Sequence, residues 1–171
     1  KKELTGKDPF YTYFMLQEAK PILNEELLRE LKKLKINKFD FRWLLEESES
    51  ALRIAEEFLK LDKQEKRKKL DSTAIVYTMV LRLRRMFLVQ CLLENKKYSN
   101  KEFKKFLQDK GFSMPAVEEI YWIYQAERDN KKTVKSISIE NAEKLYHATK
   151  VDIETMKEAY KWHQKRKRQK A

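Results

Sequence analysis

An all-α fold is the expectation for this chain, and three observations carry it. Only two glycines and three prolines punctuate 171 residues, 39% of which are charged. Apolar residues recur at three- and four-residue spacing, the period of one helical face. So few helix breakers, in a composition dominated by Lys, Glu and Leu, leave long helices as the natural reading and make a many-stranded fold improbable. The length suits one bundle with a real core. The divisions expected are an N-terminal helical segment over 1–36, a helical bundle over 37–164 and a basic tail over 165–171.

Taken in order, Asp8 and Pro9 open the first helix, Asp8 accepting from orphan amides and Pro9 tolerated at the first helical position. Phe10, Tyr13, Phe14 and Gln17 share one side, and Pro21 stops it. Asn24 then caps a short helix over 25–35 whose stripe of Leu27, Leu28, Leu31 and Leu34 is expected in the core. From 40 to 61 the stripe is Phe41, Leu44, Leu45, Ala51, Leu52, Ala55, Phe58 and Leu59, and this helix is expected to pack on the central one. The polar, basic stretch 62–70 reads either as a mobile connection or as an exposed extension of the next helix.

Residues 75–97 form the organising helix. It is apolar on nearly every face, which places it in the middle of a bundle or in a membrane. Arg82, Arg84 and Arg85 decide between these, because they break the apolar run into pieces well short of the ~20 residues that a bilayer span needs. Three guanidiniums on a central helix must find carboxylates, a wet groove or an anionic ligand, since an unpaired buried charge costs several kcal/mol. Glu46, Glu47, Glu49, Glu56 and Glu57 are candidate partners. Arg82 and Arg85 share a helix face with Thr78, whereas Arg84 points elsewhere and serves as an internal control. Leu83 and Phe87 are expected to be buried against Leu45, Leu52 and the helix that carries Tyr121.

Ser99 with Glu102 is a capping-box signature, and Gly111 sits where a left-handed terminal residue is wanted. Phe103, Phe106 and Leu107 face inward between them. Ser113 with Pro115 starts another helix, on which Val117, Ile120, Tyr121, Tyr124 and Gln125 share a face and Trp122 falls off it. Ser138 caps the last long helix, with Ala142, Leu145, Tyr146, Thr149, Ile153, Met156 and Tyr160 on its inner face, running into the tail.

The formal net charge of +12 favours acidic partners, nucleic acid, nucleotides or an acidic protein; the competing reading is the solvated Lys/Glu surface of a heat-adapted protein. Lys165, Arg166, Lys167 and Arg168, with Trp162 to stack on bases, form a candidate nucleic-acid surface. Its alternative is a frayed, solvated tail. Enzymatic chemistry is hard to assemble: His147 and His163 fall on nearly opposite sides of one helix, two glycines cannot build a phosphate-cradling loop, and Cys91 is a lone core thiol. No metal or cofactor is expected. No leader is visible at the N-terminus, so the cytoplasm is the expected compartment.

Several segments resemble one family. Asp8-Pro9-Phe10 through Glu18-Ala19-Lys20-Pro21-Ile22-Leu23 resembles the segment that leaves a minimal nucleotidyltransferase core. Residues 77–84, with their Leu81-Arg82-Leu83-Arg84 run, 121–129 and 139–146 are similar to the central and last two helices of the HEPN-like helical domain that follows, or is encoded beside, such a nucleotidyltransferase in many prokaryotes. The resemblance implies a four-helix core with additional N-terminal helices and an accessory role: docking on a catalytic module, or presenting an acidic substrate to it. The nucleotidyltransferase aspartate motif is absent, and neither histidine has the preceding arginine of the ribonuclease members. The implied function is therefore non-catalytic, with Arg82, Arg85, Thr78 and Arg128 as ligand- or partner-binding residues. A stand-alone RNA- or DNA-binding protein and a degenerate HEPN-type ribonuclease are the alternatives. Expected partners are a nucleotidyltransferase catalytic module, RNA or a nucleotide, and a second copy of the chain.

Overall fold

The computed structural model describes residues 16, 19–32, 42–94, 96–131 and 135–168, with side chains described as far as residue 161. Among them every regular element is helical. None of these helices is long and apolar enough to cross a membrane. The chain divides into two compact units, Lys1–Phe41 and Arg42–Ala171.

The first unit contributes α1, Glu25–Lys32. Asn24 takes a left-handed backbone conformation, φ 55°, and its Oδ1 accepts from the Leu27 amide at 3.0 Å, the capping expected from sequence. Glu25 and Arg29 pair across one turn at 3.2 Å, and the Lys32 ammonium donates to the Ala19 carbonyl. No residue of α1 is buried, and Leu27 is 47% exposed, so the expected core role of this stripe is corrected. Periodicity identifies an apolar face but carries no information about what covers it. Phe10, Tyr13, Phe14 and Gln17 of the expected first helix and the stripe residue Leu34 lie outside the described residues.

The second unit holds α2 (Arg42–Gln64), α3 (Thr73–Leu93), α4 (Asn100–Asp109), α5 (Met114–Arg128) and α6 (Ile139–Arg168). α3 packs against α2, α5 and α6, and α2 lies along α6. Ile75, Val76, Met79, Val80, Leu83, Met86, Leu88 and Val89 are all buried, which is why this helix is apolar all round. Leu44, Leu45, Leu52, Ala55 and Leu59 of α2 and Ala142, Leu145, Ile153 and Met156 of α6 are buried with them.

Phe58 departs from its expected place. It is 43% exposed, beside Ile54 and Leu61 on the outer face of α2, because two adjacent helical stripes satisfy three- and four-residue spacing and only one meets the core. Phe87 is also displaced from the expected packing. It is half-buried, and its ring lies 4.7 Å from that of Phe106 and 5.9 Å from that of Phe103, so its partners are on α4.

The 62–70 stretch is not an extension of the central helix: 62–64 finish α2, and the rest is an ordered connection to α3, which starts at Thr73. Leu70 is buried, its amide donates to the Ile137 carbonyl at 3.0 Å, and the Ile139 amide donates to Lys68, closing a short antiparallel bridge at Lys69 and Ser138. Asp62, buried at the end of α2, accepts from the Asp71 amide, and Arg67 spans Asp62, Glu65 and Asp71. The charges of this stretch thus pin it in place.

α4 and α5 pack together across a tight turn. Ser99 Oγ accepts from the Glu102 amide at 3.1 Å and Ser113 Oγ from Ala116 at 3.4 Å. Gly111 has φ 87°, a conformation that side-chain-bearing residues rarely adopt. Its position lets Phe112 reach the core and its amide reach the Leu107 carbonyl.

Candidate functional site

The three arginines of α3 have different fates. Glu47, on the second turn of α2, faces α3 and divides its carboxylate: Oε1 lies 2.6 Å from Arg82 Nη2 and Oε2 lies 3.0 Å from Arg85 Nη1. The spacing of one turn between the two arginines is what lets one carboxylate reach both. Arg82 is the more enclosed, its side chain 13% exposed against 31% for Arg85. Its Nε and Nη1 are buried and find no hydrogen-bond partner among the described residues. Burial pulls the Arg82 pKa down, Glu47 pushes it back up, and the neighbouring Arg85 charge lowers it further.

Arg85 also lies against the Trp43 indole, with its guanidinium carbon 5.8 Å from the ring centroid. Trp43 itself is more than half exposed. The cluster at the α2–α3 seam therefore comprises two guanidiniums, one carboxylate and an open aromatic ring. Thr78 is half-buried one turn before Arg82 on α3. Arg128, the last residue of α5, pairs with Asp129 at 2.8 Å. That pairing holds its pKa up, and its further electrostatic neighbours are Tyr124 and Arg84. The structure brings Arg82 and Arg85 together, but places Arg128 with a different group.

That group surrounds Arg84, and here the expectation of a neutral control is overturned. Arg84 is buried at 8% exposure. Nε donates to the Tyr98 hydroxyl at 2.8 Å, Nη2 to Asn100 Oδ1 at 3.1 Å, and Nη1 to the Tyr124 hydroxyl. The rings of Tyr98, Phe103 and Tyr124 surround the cation, with centroids 5.6, 5.8 and 5.0 Å away. Neutral phenols and π faces stand in place of the three expected alternatives, a carboxylate, a wet groove or an anionic ligand. Burial alone would lower the Arg84 pKa, and Tyr98 and Tyr124 more than restore it. Tyr121, its ring tilted against that of Tyr124 with centroids 5.9 Å apart, keeps a buried hydroxyl with no partner among the described residues.

Sequence missed this cluster because its members come from the loop after α3, from α4 and from α5. The available signal was weak: Tyr121 and Tyr124 lie one turn apart on a buried stripe, and a buried tyrosine needs a partner for its hydroxyl.

The side chains of Trp162, Lys165, Arg166, Lys167 and Arg168 lie outside those described; the α6 backbone continues through Arg168. His147 is exposed and edge-on to Tyr146. Among the described residues no group of three His, Cys, Asp or Glu side chains could hold a metal ion. Comparison with family models, with curated proteins and with solved structures finds no match.

Proposed function

We propose that this chain is a helical binding module that accepts an acidic group at the Arg82–Arg85 face, and that it serves as the accessory module of a nucleotidyltransferase system. The charge count at Glu47 carries the first part. Two guanidiniums share one carboxylate, so the cluster keeps an excess positive charge, and Arg82 leaves two N–H groups undonated. Buried donors without acceptors cost about 1–3 kcal/mol each, and an anion that draws Arg82 toward the surface recovers that cost. Arg85 and the exposed Trp43 ring lie beside the path such a ligand would take. The second part rests on the family resemblance of the 77–84, 121–129 and 139–146 segments, which supplies a partner of the right kind.

Calorimetric titration of pyrophosphate, of a nucleoside triphosphate and of a short RNA against the wild type and Arg82→Ala tests the site. The expected result is binding weakened at least tenfold in Arg82→Ala, with its melting temperature close to wild type. Equal affinity for the two proteins sinks the assignment. Co-purification with a nucleotidyltransferase catalytic module, lost on Arg82→Ala, tests the accessory role.

A further inference from the structure

We propose that the cleft beside Trp122 binds a guanidinium group, the side chain of an arginine presented by a partner peptide. Trp122 lies off the buried face of α5 that carries Val117, Ile120, Tyr121 and Tyr124, and it is 40% exposed. Beside it opens a cleft of about 580 Å³ lined by Ser113, Glu118, Glu119, Gln125 and Asn141, a volume within the range of ligand sites. Its charged lining is two carboxylates, Glu118 and Glu119, against one ammonium, Lys135.

Two features fix the sign of the ligand. The electron-rich face of an indole attracts cations, and this ring already holds one: the Lys135 ammonium lies 4.9 Å from its centroid. The carboxylates are the second. Glu118 is engaged by Lys104 at 2.7 Å, but Glu119 is half-buried and makes no ion pair among the described residues. A phosphate or a nucleotide entering here would meet both carboxylates with Lys135 as the one cation of the lining, whereas a guanidinium that takes the place of Lys135 meets an aromatic face, the Glu119 carboxylate and the neutral acceptors of Gln125 and Asn141. Arginine fits better than lysine, since a planar guanidinium stacks on the indole while its fork donates to a carboxylate, which a point charge cannot do. Lys135 is then an in-chain occupant that the arginine displaces from the ring.

The test follows the Trp122 indole N–H resonance, assigned with Trp122→Phe, in the full chain titrated with acetyl-Gly-Gly-Arg-Gly-Gly-amide. The same peptide with citrulline, which keeps the shape and removes the charge, is the control. Saturable movement of the resonance with the arginine peptide alone is expected, tightened about threefold or more in Lys135→Ala and weakened by a similar factor in Glu119→Gln. Melting curves of the variants verify that each is folded. A resonance that stays still in both the wild type and Lys135→Ala overturns the proposal. Equal movement with the citrulline peptide, or movement with inorganic phosphate instead, overturns it as well.

Discussion

Arg82 and Arg85 divide one carboxylate between them, Glu47 contacting the first at 2.6 Å and the second at 3.0 Å. Removing that charge leaves two guanidiniums a turn apart with no counter-ion. Glu47→Gln is expected to cost about 1–3 kcal/mol, because both cations are partly shielded from water. The same substitution removes the negative charge with which an incoming anion must compete, so pyrophosphate should bind several-fold more tightly than to wild type. Urea midpoints measured with and without pyrophosphate check both halves. Unchanged stability combined with weaker binding would mean that Glu47 is not the counter-ion.

The local rules of helix ends were legible in the sequence, and the partners of the central arginines were not. Ser99, Ser113, Ser138 and Gly111 could be placed because a cap is decided within four residues of chain. The central position of α3 could be read because a helix buried on every side must be apolar on every side. Arg84 could not be assigned, because its acceptors arrive from Tyr98, Asn100 and Tyr124, and their approach depends on how α4 and α5 dock. The Leu27 stripe and Phe58 were misplaced for a related reason: spacing defines a face, and only packing decides which face is covered.

Phe87 carries a prediction that follows from its true neighbours. Its ring bridges α3 to Phe103 and Phe106 of α4 and to Tyr98, so Phe87→Ala detaches α4 before it disturbs the α2–α6 contact. A half-buried ring gives up less than a fully buried one, and the expected loss is about 2–3 kcal/mol. Amide exchange should speed up first between residues 100 and 109. Uniform acceleration through α2 and α6 would return Phe87 to the main core.

Tyr121 makes stability depend on alkaline pH. Burial pushes its phenol above the ordinary value, with Arg84, Lys104 and Arg128 opposing. The fold therefore favours the neutral phenol: this contribution is complete below the unfolded pKa of about 10 and is lost as pH rises through the higher native value. Its hydroxyl also lacks a partner among the described residues, so Tyr121→Phe removes a buried unsatisfied group and should gain up to ~1 kcal/mol near neutrality. Melting temperatures from neutral to alkaline pH, with tyrosinate absorbance followed in parallel, should fall less steeply in the variant. A destabilised Tyr121→Phe would mean that the hydroxyl has an acceptor.

Arg84 separates structure from ligand binding most sharply, since it sits between Arg82 and Arg85 in sequence and apart from both in space. A buried guanidinium held by Tyr98, Tyr124 and Asn100 leaves three polar groups facing a void when it is truncated. Arg84→Ala is therefore expected to cost about 2–5 kcal/mol, from neutral polar groups left without a donor and from the cavity of a large buried side chain. Arg84→Lys keeps the charge near the three rings but cannot reach both phenols and the amide from one nitrogen, and a loss of about 1–3 kcal/mol follows. Neither change touches the Glu47 clamp, so Arg84→Lys should bind pyrophosphate like wild type while melting at a lower temperature. Arg82→Ala should do the reverse. The charge-matched control is Arg53→Ala, on the exposed side of α2, which should change neither property. If Arg84→Ala melts like wild type, the phenol-held guanidinium is not part of what holds α4 and α5 to α3.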